Sequence, residues 1–138
     1  MESRHIAWTL LLIAALAAPL VLAQTQGELT SVIKDIPGQI GAGKEVTIVG
    51  FYRGWDLLKE TKQAPPVTRS DWVIADKSGA IYVQAKNVDI KGKDKLGGKD
   101  LMPNEKESVN HVLRVTGTVR VTAQKQAYIE PASIEVLK

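Results

Sequence analysis

The chain has 138 residues, of which 44% are hydrophobic and 24% charged, with a formal net charge of +3 and no cysteine. This length allows one domain rather than two. The absence of cysteine excludes a disulfide framework, a thiolate metal site and a cysteine nucleophile, and the charge is too small to argue nucleic acid by itself.

The apolar residues are unevenly spread. From Ile6 to Ala23 only Thr9 and Pro19 fall outside the apolar set. Arg4 and His5 precede this stretch as a short basic region, Pro19 breaks it, and Val21-Leu22-Ala23 precedes Gln24. Small or short residues at the third and first positions before a cut suit signal peptidase, so residues 1–23 read as a secretory signal cleaved after Ala23. An uncleaved anchor is the alternative, because eighteen mostly apolar residues just span a bilayer. Only that alternative makes the membrane a partner. Either outcome places the domain outside the cytoplasm, secreted or periplasmic.

Residues 24–43 form a polar lead-in. Thr30 to Ile36 is a short helix or strand that Pro37-Gly38 ends. Lys44 to Arg53 is the first clear strand, β-branched and expected to be buried on much of both faces. Gly54 to Ser70 contains Pro65-Pro66 and reads as a long loop, with one helical turn at Trp55 to Lys59. Asp71–Asp76 and Gly79–Ala85 are short strands. The Asp76-Lys77-Ser78-Gly79 segment between them has the chemistry of a hairpin turn. Lys86 to Ser108 mixes lysines with nearly as many carboxylates and reads as a solvated connection. His111 to Val121 is the strongest strand, with Leu113, Val115, Gly117, Val119 and Val121 on one side. After a turn at 122–125, a last strand runs from Ala127 to Leu137. Pro131 interrupts it and demands a bulge or an edge position. Five strands without a long helix suggest a small barrel.

Val46-Thr47-Ile48-Val49-Gly50, a loop, and then Trp72 through Asp76-Lys77-Ser78-Gly79 to Val83 form a recognisable order. With Leu113 to Val119 and Ile129 to Val136, this order resembles the OB-fold over residues 44–137. The anticodon-binding type, found in tRNA synthetases and single-strand-binding proteins, is the nearest kind. The resemblance implies an all-β, five-stranded Greek-key barrel spanning residues 44–138. Gly50 and Gly117 then fall where strands must coil sharply.

The resemblance also implies a ligand surface on strands two and three, flanked by loops 54–70 and 122–127. Tyr82 and Gln84 should face outward there, because Ile81 and Val83 look inward. Arg114 and Tyr128 should face outward on the last two strands. Arg53, Trp55, Arg69 and Lys125 supply an aromatic and cations from the loops. Bases stack on rings and cations track phosphates, so this set suits single-stranded nucleic acid; an oligosaccharide or a protein is the alternative ligand.

An enzyme is hard to build from this chain. His111 is the only histidine beyond the leader, so no Ser/His/Asp triad follows, and no His/Asp/Glu cluster has the spacing of a metal site. No cofactor is implied. Asp71, Asp76, Glu130 and Arg114 are the only acid–arginine group to consider for hydrolysis. The expectation is an extracytoplasmic, non-enzymatic binding module. Its alternative is a structural component docking into an envelope complex through loops and edge strands.

Overall fold

The computed structural model describes residues 30–92 and 101–137. The leader and the glycine- and lysine-rich stretch 93–100 lie outside these residues. Six strands are present among them: β1 (Glu45–Tyr52), β2 (Trp72–Asp76), β3 (Gly79–Val83), β4 (Ile90–Gly92), β5 (Val112–Val121) and β6 (Ala127–Val136). Their order is β3-β2-β1-β5-β6-β4, and a parallel pairing of β3 with β6 closes five of them into a barrel. The architecture is the expected all-β barrel of OB type.

The inward row of each strand fills the barrel. Val46 and Ile48 of β1, Ile74 of β2, Ile81 and Val83 of β3, Leu113, Val115 and Val119 of β5, and Ile129, Ile134 and Val136 of β6 are all buried in one cluster. β5 alternates buried and half-buried residues almost without exception, as a strand with one wet face must. β1 departs from expectation. Glu45 and Phe51 on its outer row are exposed and Thr47 and Val49 are half-buried, so only one face is fully covered. The β-branched composition satisfies strand propensity on both faces without requiring burial of both.

The two strand glycines sit where backbones meet. A Cβ on Gly50 would lie 2.6 Å from the carbonyl oxygen of Ala75, and one on Gly117 would lie 2.3 Å from that of Glu130. Opposite Gly117, β6 carries its bulge. Thr116 pairs with Ser133 and Gly117 with Pro131, which leaves Ala132 extra. The proline thus falls at the expected irregularity, where a missing ladder donor does least harm.

Two segments are more structured than their polarity predicts. The lead-in forms a 3₁₀ turn (Ile33–Asp35) continued by a single π-turn (Ile36–Ile40), so Pro37-Gly38 does not end it. Pro37 occupies the first turn, where its missing N–H is harmless. Ile33 and Ile36 are buried in the barrel core and close the end that carries the β2–β3 and β5–β6 turns. The connection after β3, expected to be a solvated loop, supplies β4, which runs parallel to β6. Val88, Ile90 and Leu101 of this connection pack on the core at the other end, where the Tyr52 and Trp72 rings lie 5.2 Å apart.

The described part of the lead-in, from residue 30 onward, therefore packs as part of the folded domain. Ile36→Ala should cost about 2–5 kcal/mol in urea unfolding, as for other fully buried isoleucines. An unchanged urea midpoint would mean that the segment is a detachable linker.

Candidate functional site

The outward faces of β2 and β3 should have been open. Instead, the segment between β1 and β2 folds across them. Val73 and Tyr82 are cross-strand partners on this outer face, and both are buried, Tyr82 to 4% exposure. The parity assigned to Tyr82 is right, but its ring is covered, and its hydroxyl donates to the carbonyl of Gln63 at 2.9 Å. Burial, with Asp56 and Asp71 nearby, raises the Tyr82 phenol above its ordinary pKa. Tyr82 is thus an anchor for the loop and not a bare stacking platform.

Carboxylates hold the loop in place. Asp71 is fully buried and accepts from the amides of Val67 (2.7 Å), Thr68 (2.9 Å) and Ala85 (2.9 Å) and from the Thr68 hydroxyl (2.9 Å). Asp56 accepts from the amides of Glu60 and Thr61 and from the Thr61 hydroxyl. In place of the expected helical turn at Trp55–Lys59 there are two separate turn bonds, from the Leu57 amide to the Arg53 carbonyl and from the Lys59 amide to the Asp56 carbonyl, and Asp56 and Lys59 both take φ of 55°. Gln126 donates from Nε2 to the Ala64 carbonyl at 2.9 Å, which draws the β5–β6 turn up to the loop.

The predicted site residues divide between three surroundings. Arg53 is a strut. Its Nε donates to Glu60, its Nη1 donates to the Val109 carbonyl and to Asn110, and its guanidinium lies 5.1 Å from the Phe51 ring centre. Arg114 pairs with Glu135 on the β5–β6 flank, away from β2 and β3. These two arginines are engaged within the fold because each lies beside a carboxylate that sequence spacing did not reveal. Gln84 is half-buried, and its amide bonds to the Ile129 carbonyl. Tyr128 is half-buried and lies between Tyr82 and Arg120 across the ladders.

Trp55, Arg69 and Lys125 remain on the surface. Trp55 is 48% exposed, with its amide fixed to the Pro103 carbonyl at 2.9 Å. Arg69 and Lys125 are exposed and make no ion pair among the described residues; the same holds for Lys59 and Lys62. The acid–arginine group does not assemble. Asp71 and Asp76 lie at opposite ends of β2, and Glu130 is occupied by Lys86 (3.0 Å) and Arg120 (2.9 Å), which lower its pKa.

Asp76 has a separate role. It accepts from the Ser78 hydroxyl and from the amides of Ile33 (3.0 Å), Ser78 (2.7 Å) and Gly79 (3.1 Å), joining the lead-in to the hairpin. Partial burial raises its pKa, but these donors outweigh burial and hold it below the ordinary aspartate value. Beside this clamp, Ile33, Lys34, Pro37, Gln63, Ala80 and Lys125 help line a groove of about 160 Å³. Local sequence does not reveal the role of Asp71 as the loop's acceptor, the Gln126 tie or this groove. The only local sign was Thr68 three residues before Asp71, a spacing that permits a side chain to cap its own turn.

No protein-family model matches the chain, and no curated protein matches it either.

Two outcomes are expected. Asp71→Ala should destabilise the domain by roughly 2–3 kcal/mol by leaving buried donors without their acceptor. It should also speed tryptic cleavage after Lys59, Lys62 or Arg69 while circular dichroism keeps the β signature; unchanged cleavage would show that Asp71 does not hold the loop. The Asp76 interaction is complete above the unfolded carboxyl pKa and is lost as pH falls through the lower folded value. The urea midpoint of the wild-type chain should therefore exceed that of Asp76→Ala at pH 7, and the gap should narrow below about pH 4. A gap of constant size would contradict the assignment.

Proposed function

We propose that the protein is an extracytoplasmic, non-enzymatic OB-fold binding module for an anionic single-stranded oligomer, in the first place an oligonucleotide. The ligand path is the outer surface of loop 53–71 with the adjoining β5–β6 turn. The carrying observation is an imbalance of charge. The loop's carboxylates Asp56 and Asp71 bond to backbone amides and Glu60 pairs with Arg53 at the surface, while Lys59, Lys62 and Arg69 are exposed and free of ion pairs among the described residues. Lys125 joins them through the Gln126–Ala64 tie. Loop 53–71 carries four cations against three carboxylates and Lys125 adds a fifth cation, so the local balance is positive, and local charge steers a polyanion more than net charge does.

Trp55 adds an exposed ring on the same loop, and base stacking on such a ring contributes about 1–3 kcal/mol per base. The non-enzymatic reading is supported by the engagement of Asp56, Asp71 and Asp76 with backbone amides, which leaves them as structural acceptors. Export rests on the apolar stretch Ile6–Ala23.

The test is a titration with single-stranded oligodeoxythymidine at several salt concentrations. Binding should weaken as salt rises, with a slope of roughly −0.7 per neutralised phosphate in a plot of log K against log salt. A Lys59→Ala, Lys62→Ala, Arg69→Ala triple variant should flatten that slope by about 2. Absence of binding at low salt would end the nucleic-acid reading. Specific crosslinking to an envelope protein at the same loop would replace it with the docking role.

A further inference from the structure

The barrel is not zipped along its whole seam. β3 and β6 pair only at Tyr82–Tyr128 and Val83–Ile129, although β3 begins at Gly79. In a strand, alternate residues aim their N–H and C=O at the same neighbour. The Gln84 amide bonds to the Ile129 carbonyl, so Tyr82 and Ala80 also aim theirs toward β6. At the level of Ala80, β6 has not yet begun, because it starts at Ala127 opposite Ile81. The Ala80 C=O therefore faces the first residue of β6, Ala127, while the Ala80 N–H faces the β5–β6 turn across the seam groove, and no backbone bond joins it to that turn.

The groove around them has a consistent character. Its walls are apolar (Ile33, Pro37, Ile81 and Ala127), its volume is about 160 Å³, and Lys34 and Lys125 stand at its rim. Both lysines are exposed, and neither makes an ion pair among the described residues. A dry engineered cavity of about 150 Å³ holds one benzene ring, so this space is the size of one planar ring system and is below the range of a drug-sized ligand. Gln63 and Lys125 belong both to the groove and to the cationic loop surface, so the two are continuous.

We propose that this groove seats one unstacked nucleobase of the bound single strand. The base lies against Ile81, Ala127 and Pro37. An acceptor on its hydrogen-bonding edge meets the amide of Ala80. The flanking phosphates lie over Lys34 and Lys125. Single-stranded ligands are commonly read by hydrogen bonds to such an exposed base edge. This inference rests on the oligonucleotide reading above and assigns it a base-recognition point.

The test separates the two. The ¹⁵N-labelled protein is titrated with oligodeoxythymidine and, in parallel, with an abasic oligomer of the same length. The Ala80 amide resonance should shift with the first oligomer and not with the second. Ala80→Pro removes the donor but no β2 ladder bond, since that N–H faces the seam, and Gly79 tolerates the restriction that proline imposes on its predecessor. The variant should bind oligodeoxythymidine about fivefold more weakly and the abasic oligomer unchanged, a loss typical of one hydrogen bond. If both oligomers bind the wild-type protein equally and the Ala80 resonance stays still, the base pocket is wrong while the cationic-loop reading stands. If neither oligomer binds at low salt, both fall. The resonance measurement on the wild-type protein decides the matter if the variant fails to fold.

Discussion

Closing five short strands into a barrel is the constraint from which the other features follow. A closed sheet of this size must tilt and coil its strands until backbones nearly touch. Gly50 and Gly117 sit at two such approaches, and the Pro131–Ala132 bulge absorbs the mismatch opposite Gly117. The closure itself is thin, with only two residue pairs between β3 and β6. Barrel ends and seam are then left with apolar surface that the strands alone cannot cover. Ile33 and Ile36 fill one end, Val88, Ile90 and Leu101 the other, and the incomplete seam persists as the groove beside Ala80.

The same economy of backbone pairing governs the charges. A long loop carries amide groups that need acceptors, and a sheet face that it covers can offer few. In this chain, aspartates supply them. Asp71 alone accepts four hydrogen bonds, from residues on both sides of β2 and β3. Each carboxylate turned inward in this way keeps its charge but spends its acceptor positions on amides rather than on a direct bond to a surface cation. Lys59, Lys62 and Arg69 are thus left facing solvent with no direct ion-pair partner among the described residues.

The strands were legible from local pattern. The alternation in Val46–Gly50 and in Leu113–Val119 is set by the period of the sheet, and the Asp76–Gly79 turn is set by residues that are adjacent in sequence. What escaped the pattern depends on distant partners. Ile33 and Ile36 look like scattered isoleucines in a polar segment, and Ile90–Gly92 is too short to alternate; both become ordered only against a core already built by other strands. Tyr82 shows the boundary most clearly. Strand parity predicted which way it points, but its burial rests on Gln63, nineteen positions earlier, and on a loop drawn in by Gln126, sixty-two positions from Ala64.

The covered face bears on how the proposed ligand would be held. One route is to displace the loop and use β2 and β3 directly. That would expose Tyr82 and Val73 and strip the acceptor from four donors. Re-exposing an aromatic of about 200 Å² costs about 5 kcal/mol at 25 cal/mol per Å², and each bond to a charged acceptor adds about 1.5–3 kcal/mol before water compensates. Those costs together rival the full stability of a small domain, about 5–15 kcal/mol. Binding on the loop's outer surface carries no such penalty. The loop backbone is already tied by Asp56 and Asp71, so the positions that carry its cations and Trp55 are set before any ligand arrives. Preorganisation of that kind favours the outer surface and the adjoining seam over the sheet face that OB-fold resemblance alone would select.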